Sequence, residues 1–226
     1  KLWNASRYVL MNIEDIKEIK LDNLSTSDKW ILTRLNRTIK NVTKSMDKYD
    51  FNIVGNELYS FIWDDFCDKY IELSKFNKND TTKSVLLIVL TDILKMLHPF
   101  MPYVTEEIYS MLPIKDSESI MIDNYPKYNK KYVFNDEESY LNKALELVTM
   151  FRNKRVELNI GNEFNVDINI DNDEVKMLVV NLLKLQDKES NEIKGTLEKV
   201  KVGDLEIDII YDNSKNLEKE KELLLK

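Results

Sequence analysis

The sequence holds a single cysteine, Cys67, and a single histidine, His98, among 226 residues. One thiol cannot close an internal disulfide, so the chain suits a reducing compartment, and a cytoplasmic location is expected. His98 falls at a helix C-terminus, where partial positive charge is favoured. Cys67 beside Phe66 reads as a buried thiol. Neither has a sequence partner that would make a nucleophile–base pair. Asp64, Asp65, Asp68 and Glu72 form an acidic patch with no His or Cys among them, so it reads as a solvated face or as counter-charge for a basic helix, not as a metal site. The four glycines are at least eight residues apart, which excludes a glycine-rich phosphate loop. The longest aliphatic run, Val85 to Leu90, is too short to span a bilayer, and no signal peptide is visible. No catalytic residue, no metal ligand and no membrane partner is assigned.

With only four prolines as well, the chain is expected to build long helices. The formal net charge of −7 argues against a generic DNA or RNA binder. The charge is uneven, however: residues 1–60 carry +2, residues 61–135 carry −2 and residues 136–226 carry −7. Screening confines each charge to about 8 Å at physiological salt, so a local cationic strip can act on an acidic body.

Hydrophobic periodicity divides the chain. Helices are expected at Leu2 to about Ile13, Ser27 to Tyr49, Phe51 to Lys75 (capped by Asp50), Thr81 to Leu97 and Tyr103 to Leu112. Ser25 and Asp28 have capping-box spacing before the second helix. The fourth helix is apolar nearly all round and belongs at the centre of a bundle. Pro99, Pro102 and Pro113 punctuate the fourth and fifth helices. Ser119 to Tyr125 reads as extended chain and Lys127 to Phe134 as a linker. Asp136 to Leu158 is helical again. The period then changes to two at Phe164, Val166, Ile168 and Ile170. A short helix, Glu174 to Leu185, and strands at Ile193, Leu197 to Val202 and Leu205 to Ile210 follow. From Ser214 a charged leucine pattern, with Leu217 and Leu224 seven apart, suits the start of a coiled coil. The fold class expected is mainly α: a helix bundle over 1–130, a small α+β module over 136–213, and a truncated coiled-coil helix over 214–226. The opening Lys-Leu-Trp-Asn, already helical and without Met, reads as a fragment of a longer chain.

The second helix has two opposed faces. At 100° per residue, Ile31, Leu32, Leu35, Ile39, Val42, Met46 and Tyr49 share an arc of about 100°. Lys29, Arg34, Arg37, Lys40, Lys44 and Lys48 lie opposite, and Trp30 projects among them. An aromatic set among cations can stack an unpaired base while its neighbours hold phosphates. The alternative is an ordinary solvated face with Trp30 packed on a neighbouring helix.

Five sequence runs then point to a family. They are Lys1-Leu2-Trp3-Asn4-Ala5-Ser6-Arg7-Tyr8, Asp28-Lys29-Trp30-Ile31-Leu32-Thr33-Arg34-Leu35-Asn36, the stretch Phe61 to Glu72 (Phe-Ile-Trp-Asp-Asp-Phe-Cys-Asp-Lys-Tyr-Ile-Glu), His98 to Tyr109 (His-Pro-Phe-Met-Pro-Tyr-Val-Thr-Glu-Glu-Ile-Tyr), and Ser119-Ile120-Met121-Ile122. In order and spacing the chain resembles the C-terminal, anticodon-binding region of class I aminoacyl-tRNA synthetases of the valine type, across residues 1–126. Weaker likeness continues at Phe151 to Glu157 and Gly203 to Ile207. The family usually has Trp where Lys69 stands. The resemblance implies a helix-bundle domain that reads the anticodon of a valine-accepting tRNA, within an enzyme that ligates valine to tRNA. It implies no cofactor in this chain; ATP and magnesium belong to a catalytic domain elsewhere. The residues expected to contact tRNA are Asn4, Arg7, Lys29, Trp30, Arg34, Arg37, Arg152 and Arg155. Asn4 and Arg7 have an alternative as inter-helix hydrogen bonders, and Arg152 and Arg155 as members of a structural ion pair. A monomer is expected, with no DNA partner. Two other readings stay open: a helical protein-interaction scaffold, and the same region of an isoleucine-type synthetase.

Overall fold

The computed structural model describes residues 1–160, 164–185 and 195–211. The expected strand at Ile193 and the coiled coil over 214–226 lie outside the described residues. The chain divides into two compact units, Lys1–Glu138 and Ser139–Lys226.

The first unit is helical: α1 (Leu2–Ile13), α2 (Thr26–Met46), α3 (Phe51–Ser60), a π-helical stretch (Phe61–Tyr70), α4 (Ile71–Ser74), α5 (Asp80–Leu97) and α6 (Pro102–Ser110). Local chemistry sets the starts. Ser25 Oγ accepts from Asp28 N–H at 3.1 Å while Asp28 Oδ2 accepts from Ser25 N–H at 3.2 Å, completing the capping box. Asn79 Oδ1 accepts from Thr82 N–H at 2.7 Å and starts α5. Pro102 opens α6, where its missing N–H is harmless. Asp50 occupies the N-cap of α3, but its side chain makes no capping bond.

α5 lies at the centre, with Val85, Leu87, Val89, Leu90, Ile93 and Leu94 buried. The apolar arc of α2 packs as its periodicity demands from Ile31 to Val42. Tyr49 leaves that arc: α2 ends at Met46, and Tyr49 turns out in a left-handed conformation (φ 60°) and is exposed. The expected third helix is continuous but not regular. Ile71 N–H reaches back five residues to Phe66 C=O, so the wider turn breaks the 3.6-residue spacing. Phe66 and Tyr70 are buried, whereas Tyr59 is exposed and stacks on Trp63 at 4.8 Å. Ser119 to Tyr125 is not extended throughout. Ser119 caps a 3₁₀ turn, Ile120–Ile122.

One buried acid lies near the far end of α5. Lys95 Nζ meets Asp123 Oδ2 at 2.9 Å, and the Tyr109 hydroxyl donates to Asp123. Burial pushes the neighbouring Asp92 carboxyl up to about 6; Lys95 acts to lower it and Asp123 to raise it. The folded state therefore holds a proton that the unfolded chain has released, and stability falls as pH rises from about 4 through about 6. Asp92→Asn is expected to leave thermal stability at pH 4 unchanged. At pH 8 it should raise Tm by several degrees, a gain of at most about 3 kcal/mol. Equal effects at both pH values would show that Asp92 ionises freely.

In the second unit β3 (Leu205–Tyr211) is central, with β1 (Phe164–Asn169) and β2 (Thr196–Val202) antiparallel on either side. Leu205, Ile207, Ile209 and Tyr211 are buried alternately, and Ile168 and Val200 both pair with Ile207. Gly203 supplies the positive φ (61°) at the first of two loop residues between β2 and β3, as a type II′ hairpin requires. Buried positions of α7 (Asn135–Glu157) and α8 (Asp173–Leu183) recur at helical spacing: Leu141, Ala144, Val148 and Phe151, then Val175, Leu178, Val179 and Leu183.

Candidate nucleic-acid interface

α2 does not offer the surface that its two-faced pattern suggests. Trp30 is 1% exposed and so cannot stack a base. The cations around it are paired. Lys29 Nζ donates to Glu137 at 2.9 Å, Arg34 Nε to Asp65 Oδ2 at 2.7 Å, and Arg37 Nη2 to Glu138 Oε2 at 2.6 Å and Asn135 at 3.0 Å. The Asp65 and Glu138 side chains are only 5% and 8% exposed, so removing their cations would leave buried charge uncompensated. Burial acts to lower the Arg34 pKa, but Asp65 and then Glu138 outweigh it and hold the guanidinium charged.

The reason is physical. Asp136, Glu137 and Glu138 fill the first turn of α7, where the helix dipole favours acids. The segment leading into that turn is bound along α2 and is not a free linker. Asn36 Oδ1 accepts from Asn129 N–H at 2.8 Å, and Thr33 Oγ1 accepts from Phe134 N–H at 2.9 Å. Hence α2 has apolar packing on one side and ion pairs on the other. Lys69, which stands where the resemblance has Trp, binds Asp65 at 3.1 Å and lies 5.9 Å from the centre of the Trp30 ring.

The second unit holds its arginines against protein as well. Arg152 Nη2 donates to Leu182 C=O at 2.8 Å near the end of α8, and the Arg155 guanidinium lies 4.5 Å from the centre of the Phe164 ring. Glu157 pairs with Lys154 at 3.5 Å.

α1 is different. Leu2, Ala5, Val9 and Ile13 anchor it, leaving Trp3, Asn4 and Arg7 outside. Trp3 is 49% exposed. Among the described residues, neither Asn4 nor Arg7 makes a side-chain hydrogen bond or an ion pair. Trp3 separates two hollows. One, of about 140 Å³, is bordered by Ser6, Arg7, Met11, Glu14 and Met111. Ser6 Oγ there is buried and has no hydrogen-bond partner among the described residues, an unusual state for a buried hydroxyl. The other, of about 490 Å³, is apolar, with Tyr59, Trp63, Phe100 and Met101 on its walls and Lys1 Nζ 5.6 Å from the centre of the Trp63 ring. The arrangement offers an indole face for stacking and a guanidinium and amide for base edges or phosphate. Of the eight residues expected at the interface, only Asn4 and Arg7 stand together, outward and unengaged. Trp3 joins them; the spacing of Leu2, Ala5, Val9 and Ile13 is the signal that leaves Trp3 off the apolar stripe of α1.

Among the described residues no helix is long and apolar enough to cross a membrane, and no group of three or more His, Cys, Asp or Glu is placed to hold a metal ion.

The sequence model of the anticodon-binding domain of tRNA ligases matches residues 28–170. A valine–tRNA ligase of Thermotoga maritima is 44% identical over 179 residues, 77% of this chain and 21% of that protein. One from Staphylococcus epidermidis is 49% identical and one from Staphylococcus aureus 48%, each over 170 residues, covering 70% of this chain and 19% of the relative. The chain thus spans about one fifth of the length of the curated relatives it matches.

Proposed function

This chain belongs to the family of anticodon-binding domains of tRNA ligases, and on that premise we propose that it reads the anticodon of a valine-accepting tRNA for a longer enzyme that attaches valine to that tRNA. The valine assignment is supported by relatives 44–49% identical that are valine–tRNA ligases. ATP, magnesium and bond formation belong to other parts of such an enzyme. Here the task is recognition.

The observation that carries the reading is the outward, unengaged set Trp3, Asn4 and Arg7 on α1. Single-stranded anticodon bases are recognised unstacked and splayed against protein. Trp3 gives one base a π-face. Arg7 reaches an acceptor edge or phosphate, and Asn4 supplies paired donor and acceptor groups.

The test is binding of the chain to valine tRNA, isoleucine tRNA and an anticodon-substituted valine tRNA. Valine tRNA is expected to bind best. Arg7→Ala should cost about ten-fold or more in affinity for it and shrink the preference. Thermal stability should change little, since Arg7 is exposed and unpaired. Equal affinity for all three RNAs would remove anticodon reading from this chain.

A further inference from the structure

The ion-pair network that occupies the first half of α2 stops short of its second half. Lys40 and Lys44 are exposed, and Lys44 has no side-chain partner among the described residues. Beside them runs the segment that Asn36 and Thr33 hold against α2. From Asn124 to Asn135 that segment contains no carboxylate and three lysines: Lys127, Lys130 and Lys131. All three are exposed, and no side-chain hydrogen bond or ion pair engages them among the described residues. The two strips meet, because Lys40 Nζ lies 5.4 Å from the centre of the Tyr128 ring. That contact leaves the ammonium charge intact. Asp47 is the one acid between Lys29 and Lys48.

We propose that Lys40, Lys44, Lys127, Lys130 and Lys131 form a grip for the ribose-phosphate backbone of the tRNA whose anticodon α1 reads. The proposal rests on the reading given above and adds a second, sequence-independent contact to it. Phosphate contacts of this kind fix register and add affinity without carrying base information. Lysine ammonium groups suit them, being mobile point charges. A protein partner fits the patch less well. Its exposed large aromatics are Tyr125 and Tyr128, each only partly exposed, whereas protein interfaces gain most of their energy from several buried apolar anchors. A polyanion needs only the density of positive charge. Tying the loop to α2 through two buried side chains keeps that density fixed before the RNA arrives.

The experiment compares the chain with its Lys44→Gln/Lys127→Gln/Lys131→Gln variant, measuring tRNA affinity across a salt series by filter binding. Removing three charges should flatten the log–log salt slope by about two, at about 0.7 per single-strand phosphate. That corresponds to about a 100-fold loss of affinity at 0.1 M salt, shrinking to nothing near 1 M. The loss should be the same for valine tRNA and for its anticodon-substituted form, and the corresponding triple Arg variant should restore the slope. An unchanged slope overturns the proposal. So does a loss confined to the valine anticodon, a failure of the parent chain to bind tRNA even at low salt, or retention of polyglutamate in preference to tRNA, the mark of an acidic protein partner. Should the parent chain bind all three RNAs equally while the triple variant flattens the slope, the anticodon reading fails and the backbone grip stands; should Arg7→Ala leave an existing preference untouched, only the role of Arg7 falls.

Discussion

Trp30→Ala should destabilise the chain by about 3–5 kcal/mol, the usual cost of truncating a buried aromatic, and leave the tRNA affinity of the folded protein unchanged within about two-fold. The indole is 1% exposed and is among the largest fully buried side chains of the first unit. Its removal opens a void between α2 and the π-helical stretch, where Lys69 lies across the ring. It also loosens the site at which Asp65 holds both Arg34 and Lys69. Urea denaturation gives the first quantity. Filter binding at a temperature where the variant is fully folded gives the second. A ten-fold affinity loss with intact stability would mean that the ring swings out to meet RNA, against everything its burial implies.

That expectation reverses what the helical wheel of α2 suggests, and the reversal shows what periodicity contains. A wheel sorts residues by direction about one axis. It separated Ile31, Leu32, Leu35, Ile39 and Val42 from the cations, and those five are buried. It cannot say what lies beyond the polar side. The counter-charges come from Asp65, 31 positions after Arg34, and from Glu138, 101 positions after Arg37. Only the fold brings them together. The same limit explains the π-helical stretch, since a change from i→i+4 to i→i+5 bonding leaves no mark on composition. It explains the docked segment 129–134 too, because its anchors Asn36 and Thr33 look like ordinary polar positions until their bonds are seen. Features set by neighbours in sequence were legible. The Ser25–Asp28 capping box, the proline boundaries of α6 and the alternation of β3 each depend on residues within a turn or two. The order β1-β3-β2 does not. The α1 site lies between these cases: Trp3, Asn4 and Arg7 share one family run, but only the fold shows that all three side chains stay outside the bundle.

The resemblance run that begins at Asp28 takes on a different meaning in the structure, and Asp28→Ala makes that meaning measurable. Asp28 is fully buried. Its carboxyl accepts from Tyr70 Oη–H at 2.6 Å, from Thr82 Oγ1–H at 3.0 Å and from Ser25 N–H at 3.2 Å. It thereby ties the start of α2 to the end of the π-helical stretch and to the first turn of α5. Burial first, and then Asp28, push the Tyr70 phenol well above its ordinary value, so it remains a donor even at high pH. Alanine would strand two buried hydroxyls and open the cap. Each stranded group costs about 1–3 kcal/mol, and a total loss of about 3–5 kcal/mol is expected. Tyr70→Phe alone should cost about 1 kcal/mol, since Asp28 keeps its other donors. The double variant should cost clearly less than the sum of the singles, because no phenol is then left unpaired; coupling of about 1–3 kcal/mol is expected in the cycle. Strict additivity would mean that the Asp28–Tyr70 bond is not formed in solution, and Asp28 would then stabilise only the helix start. RNA affinity of the folded fraction should be unaffected in all three variants, since the network shares no side chain with Asn4, Arg7 or the lysine grip.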